Sequence, residues 1–110
     1  MYEIGPIEHA HLIQLADMFR LLGDPSRLRL VGLLCDAALP ASEAARSAGM
    51  SPQLASHHLR LLRAARLVRA ERRGKQIIYA IADEHVRHML ADMVAHVAEP
   101  HPHEAAEGKE

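Results

Sequence analysis

The chain of 110 residues has no tryptophan, one phenylalanine, two tyrosines and one cysteine. Scarce aromatics beside abundant Ala and Leu argue against a β-rich core and for a mainly helical one. The single thiol, Cys35 in the apolar run LVGLLC, excludes an intrachain disulfide and a cysteine-pair metal site, and reads as a small buried hydrophobe. No apolar run approaches the ~20 residues that cross a bilayer, and the start does not read as a leader, so the expected location is cytoplasmic, with no membrane partner. There is no internal repeat. Residues 1–99 read as one domain with a modest core that gains from self-association, and residues 100–110 (PHPHEAAEGKE) as a loose tail containing histidine and acid.

What the chain does have is segregated charge. The formal net charge of −1 divides into −2 over residues 1–50, +6 over residues 51–81 and −5 over residues 82–110. A central stretch with seven basic residues and one acid is suited to a polyanion.

Apolar spacing and breakers then place the elements. Leu12, Leu15, Ala16, Phe19 and Leu22 predict a helix over 9–22, ended by Gly23. Asp24-Pro25 is a cap plus first-turn proline, opening a helix over 25–36. Ser42 is expected to cap a short helix over 43–48, stopped by Gly49, and Ser51-Pro52 opens another helix to about Ala65. Two helices joined at Ala48-Gly49-Met50 have the form of a helix-turn-helix. Strand-like runs over 67–71 and 76–81, with Arg72-Arg73-Gly74-Lys75 between them, predict a two-stranded β wing with a basic tip. A last helix covers Asp83 to Glu99 and ends at Pro100 and Pro102.

That last helix carries metal-ligand chemistry on one side. At about 100° per residue, Asp92, His96 and Glu99 fall within about 40° of His85 and His88 within about 60°, while Val86, Met89, Leu90, Met93, Val94 and Val97 form a packing face. His85 and His96 are separated by about 16 Å along the axis, too far for one ion with ligand bonds of about 2 Å. An antiparallel second copy removes the difficulty: Asp83 and His85 of one chain come level with His96 and Glu99 of the other. Two nitrogens and two carboxylate oxygens suit Zn²⁺ best and also take Co²⁺; Ni²⁺ prefers more ligands, which His9, His11, His88, His101 or His103 would supply.

Helix-turn-helix followed by a basic hairpin, between flanking helices, resembles the ArsR/SmtB family of metal-sensing regulators. The resemblance runs from about Ala10 to Glu99 and rests on LLGDPSRLRLVGLL, SPQLASHHLRLLRAARLV and RRGKQIIYAI. It implies a winged helix-turn-helix that dimerises through its N- and C-terminal helices and binds double-stranded operator DNA, with no catalytic residues and no small organic substrate. Where a cysteine pair would stand before the turn this chain has Pro40 and Ser42, whereas Asp83, His85, His96 and Glu99 all match the zinc-type site across the C-terminal helices. Both the resemblance and the position in the first half of the recognition helix assign base reading to Gln53, Ser56 and His57. Arg60 and Arg63 are expected on phosphates, with Arg72, Arg73 and Lys75 reaching the backbone or minor groove from the wing. His58, rotated by about 100° from His57, is left to packing or solvent.

The implied mechanism is release of an apo repressor when metal binds. Rivals are a nickel or cobalt sensor of the same fold, an apo-form activator, and, outside regulation, a metal storage or delivery protein. A hydrolase would need an open ligand position beside a general base, which a closed four-ligand set does not leave.

Overall fold

The computed structural model describes residues 3–100; the tail and the expectations for His101 and His103 lie outside the described residues. Five helices and a small sheet follow in the order α1 (His9–Leu22), α2 (Pro25–Asp36), β1 (Leu39–Pro40), α3 (Ala41–Ala48), α4 (Pro52–Ala64), β2 (Val68–Arg73), β3 (Gln76–Ile81) and α5 (Glu84–Ala98). The breakers act as their chemistry requires. The Asp24 side chain accepts from the Arg27 backbone N–H at 3.0 Å to start α2, the Ser51 hydroxyl does the same for Leu54 at 3.1 Å in α4, and each is followed by a first-turn proline. Gly49 closes α3 with a left-handed φ of 71°.

Four expectations are corrected. Ser42 is not a cap: α3 begins at Ala41, with Pro40 as N-cap and no side-chain bond. Pro40 is pinned there because it is also paired with Ile78 in β1, which makes the sheet three-stranded in the order β1-β3-β2 rather than a two-stranded wing. A proline on an edge strand needs no ladder partner for its nitrogen, so a residue that reads as a breaker is tolerated. In the wing, β2 runs to Arg73, which pairs with Gln76, so Arg72 and Arg73 are strand residues and the tip is Gly74-Lys75. Finally, Cys35 is half-buried rather than a core residue.

The core lies where α2 meets α4 and the inner ends of the wing strands. Leu30, Val31, Leu34, Leu59, Leu62 and Leu67 are its most deeply buried side chains. Burying a leucine or valine contributes about 1.5–3 kcal/mol, so this cluster fixes α4 against α2 firmly. The two terminal helices are less provided for. Along α5 only Val86, Met89 and Leu90 pack against the core, leaving Met93, Val94 and Val97 51%, 62% and 78% exposed. On α1, Leu12, Ile13 and Phe19 are also exposed. Among the described residues no helix is long and apolar enough to cross a membrane.

Candidate nucleic-acid interface and metal-ligand helix

Because α4 buries Ala55, His58, Leu59 and Leu62, its 3.6-residue period turns Gln53, His57, Arg60 and Arg63 outward and leaves Ser56 half-buried. The sheet then brings the wing beside this face. A concavity of 450 Å³ is lined by Ser56, Arg60 and Arg63 of α4, Lys75 and Gln76 of the wing, and Ser42 of α3. Recognition helix and wing thus form one continuous surface.

The cations on it are not equivalent. Arg60, Arg63 and Lys75 are exposed and have no acidic partner among the described residues, whereas Arg73 stands 3.3 Å from the Glu71 carboxylate. Arg72 Nε donates to the Gly74 carbonyl oxygen at 3.2 Å, which braces the wing tip. A guanidinium already neutralised or tethered gains less from a phosphate, so Arg60, Arg63 and Lys75 are the stronger candidates. Sequence reasoning missed Ser42 and Gln76, which the packing of α3 against α4 and the β2–β3 register bring to this surface.

His58 is 7% exposed and points inward while His57 is exposed, and their tilted rings have a centroid separation of 5.9 Å. Burial chiefly, then the Arg27 guanidinium, lowers its pKa below the usual 6.5, while Asp24 opposes the shift. The ring is therefore neutral packing.

On α5, Asp83 Oδ1 accepts from the Val86 backbone N–H at 3.1 Å, making Asp83 the N-cap. His85, His96 and Glu99 are exposed along the same helix. Within one chain no three His, Cys, Asp or Glu side chains among the described residues converge on a common point. The donors fit a divalent ion chemically, as two imidazoles and two carboxylates, but each end of α5 holds only half a set, about 16 Å from the other half. The helix cap uses one Asp83 oxygen and leaves the second for a ligand. His88 Nε2 lies 3.5 Å from Glu84 Oε1 and His11 Nδ1 lies 3.6 Å from Glu8 Oε1; His9 is exposed.

Comparison with known proteins agrees with this architecture. A helix-turn-helix domain model matches residues 22–71. The chain is 34% identical over 92 residues to the HTH-type transcriptional regulator NmtR of Mycobacterium tuberculosis, covering 84% of this chain and 77% of that one. It is 33% identical over 108 residues to the regulator KmtR of the same organism, covering 94% and 83%. The chain belongs to the ArsR/SmtB family. A further relative, the transcriptional repressor SmtB homolog of Synechocystis, is 38% identical over 86 residues, which are 78% of this chain and 65% of that protein's length. Among solved structures, the homodimeric winged helix-turn-helix DNA-binding domain of a possible ArsR-family regulator from Mycobacterium bovis superposes with a TM-score of 0.74 at 30% identity, covering 90% of this chain and all of that one. The solution structure of apo-NmtR gives 0.73 at 31%, covering 93% and 86%.

ArsR/SmtB-family members are DNA-binding transcriptional regulators, not enzymes, and the fold is a winged helix-turn-helix. Within that family frame the uncovered apolar residues of α1 and α5 lie on the same two helices that carry His9, His11 and the α5 donors.

Proposed function

We propose that this protein is a metal-responsive repressor that binds operator DNA as an apo homodimer and is released when metal binds between the two α5 helices. Asp83 and His85 of one copy, with His96 and Glu99 of the partner subunit, would hold the ion, twice per dimer by symmetry. The ion supplies a cross-link between the subunits. The observation that carries the reading is the α5 face itself: two half-sets of donors, exposed and about 16 Å apart, on a helix whose remaining apolar residues are uncovered.

In the apo dimer, Gln53, Ser56 and His57 would meet base edges while Arg60, Arg63 and Lys75 neutralise phosphates, with Arg72 and Arg73 in support. Binding two half-sites requires the two α4 helices to keep one spacing, so fixing the paired α5 helices in another arrangement lowers DNA affinity. The name of the Synechocystis relative, a transcriptional repressor, supports the repressor sign over an apo activator. Zn²⁺ suits the four donors best; the same donors take Co²⁺, and Ni²⁺ with further ligands such as His9 and His11.

The test is titration of Zn²⁺, Ni²⁺ and Co²⁺ into the purified protein with and without labelled DNA from its own upstream region, alongside His96→Ala. Loss of DNA affinity with one metal, abolished in the variant, supports the reading. If no metal changes DNA affinity the sensor reading falls, and metal binding without specific DNA binding would indicate storage or delivery.

A further inference from the structure

Most of the large apolar side chains left in solvent lie on the N-terminal lead, α1 and α5; away from these the described residues offer Leu28, Leu54 and Ile77. Leu54 is the one on α4, where it is 42% exposed. The helical period explains why. Leu61, seven residues on and within about 20° of the same direction, packs against the core, so this stripe of α4 is covered at its C-terminal end and open at its N-terminal end. The position of Leu54 is fixed. Its backbone N–H donates to the Ser51 hydroxyl oxygen at 3.1 Å, within a first turn that Pro52 stiffens. Gln53 beside it and His57 three residues on are exposed as well, and residues three apart are neighbours on a helix surface. Leu54 therefore borders the side chains assigned to base edges.

Leucine has neither a donor nor an acceptor. A major-groove base edge presents donors, acceptors and one apolar group, the C5-methyl of thymine. Against a hydrogen-bonding edge Leu54 would strip water from polar atoms without replacing their bonds, whereas against a methyl both apolar surfaces leave water. We propose that Leu54 is a specificity-determining residue, which selects thymine by packing on its C5-methyl group at or beside the base pair that Gln53 contacts. This rests on the base-reading assignment of α4 above and adds to it the base that an apolar side chain selects.

The test uses the full chain with EDTA present and DNA from its own upstream region. The protected segment is located by footprinting, and each of its thymines is then replaced in turn by deoxyuridine, which lacks only the methyl group. Affinity is read by anisotropy at fixed salt for the parent, Leu54→Ala and Leu54→Met. At one thymine per half-site the parent is expected to lose about fourfold in affinity on replacement, and about fifteenfold when both half-sites are changed, the effect of burying roughly one methyl each time. Leu54→Met keeps this loss, while Leu54→Ala binds the two DNAs within about twofold of each other. Because each protein is compared with itself, a general loss of fold or affinity in a variant cancels. A parent that is selective for the segment yet indifferent to every methyl, or a methyl effect that Leu54→Ala retains in full, would overturn the proposal. A parent that binds the segment and random DNA alike removes the α4 reading itself, and the role of Leu54 with it.

Discussion

Arg87 Nε donates a hydrogen bond to the Cys35 carbonyl oxygen at 3.0 Å, joining α5 to the C-terminal end of α2 across 52 residues of sequence. The same guanidinium also pairs with Glu84 one turn earlier. A cation at a helix C-terminus satisfies an orphan carbonyl and complements the helix dipole. With few apolar anchors on α5, this contact helps set where the donor-bearing helix lies. Arg87→Ala is expected to cost about 1 kcal/mol, seen as a melting temperature lower by a few degrees. No shift in melting temperature would show that Val86, Met89 and Leu90 hold α5 without it.

Asp83 is both the cap of α5 and a proposed ligand, and two substitutions separate these roles. Asparagine caps a helix about as well as aspartate but is a poor metal ligand, whereas alanine does neither. Asp83→Asn should leave apo stability within about 0.5 kcal/mol of the parent, while Asp83→Ala loses about 1 kcal/mol. Both should lose metal affinity by about tenfold or more. Denaturant unfolding of the apo protein and metal competition provide the two readouts.

The cations of the DNA surface should rank by what already holds them. Arg60→Ala and Arg63→Ala are each expected to reduce the slope of log affinity against log salt by about 0.9, equally on specific and random DNA. Arg73→Ala should reduce it less, because Glu71 already neutralises that guanidinium in the free protein. Gln53→Ala, in contrast, should lower discrimination between operator and random DNA with little change of slope. Equal slopes for Arg60→Ala and the parent would remove Arg60 from the phosphate contacts.

His58 makes stability depend on pH. Burial depresses its folded pKa, so the native ring stays neutral while the unfolded chain takes up a proton below about 6.5. Its contribution is therefore complete above that value and is lost as pH falls through the depressed folded pKa. The groups facing it are Asp24 and Arg27 from α2 and His57 on its own helix. Urea unfolding between pH 7.5 and 5 should show this decline in the parent and a flatter profile in His58→Gln. Parallel profiles would place the acid sensitivity elsewhere.

Much of this protein is local in origin. The bounds of α1 and α2 are legible because Gly23, Asp24 and Pro25 act on their immediate neighbours, and β3 reads correctly because Gln76–Ile81 is a short β-prone run between breakers. Ser42 is the opposite case, a cap by local sequence that α3 does not use. Where α3 begins depends on Pro40 being paired with Ile78, 38 positions away, and no local signal carries that pairing. Tertiary packing likewise brought Ser42 and Gln76 to the concavity that Arg60 lines, whereas Glu71 meets Arg73 by a local rule, two residues apart on one face of β2.

The sequence by itself determined the helix-turn-helix, the concentration of positive charge over 51–81, and the two half-sets of donors on α5. Each is a matter of residue type and helical period, which are short-range. Only the tertiary structure decided that His58 is buried and neutral, and that Ser42 of α3 and Lys75 of the wing line one concavity with Arg60. These depend on how α4, the sheet and α5 pack. The space between those elements is set by the buried leucines of α2 and α4 rather than by the residues that line it.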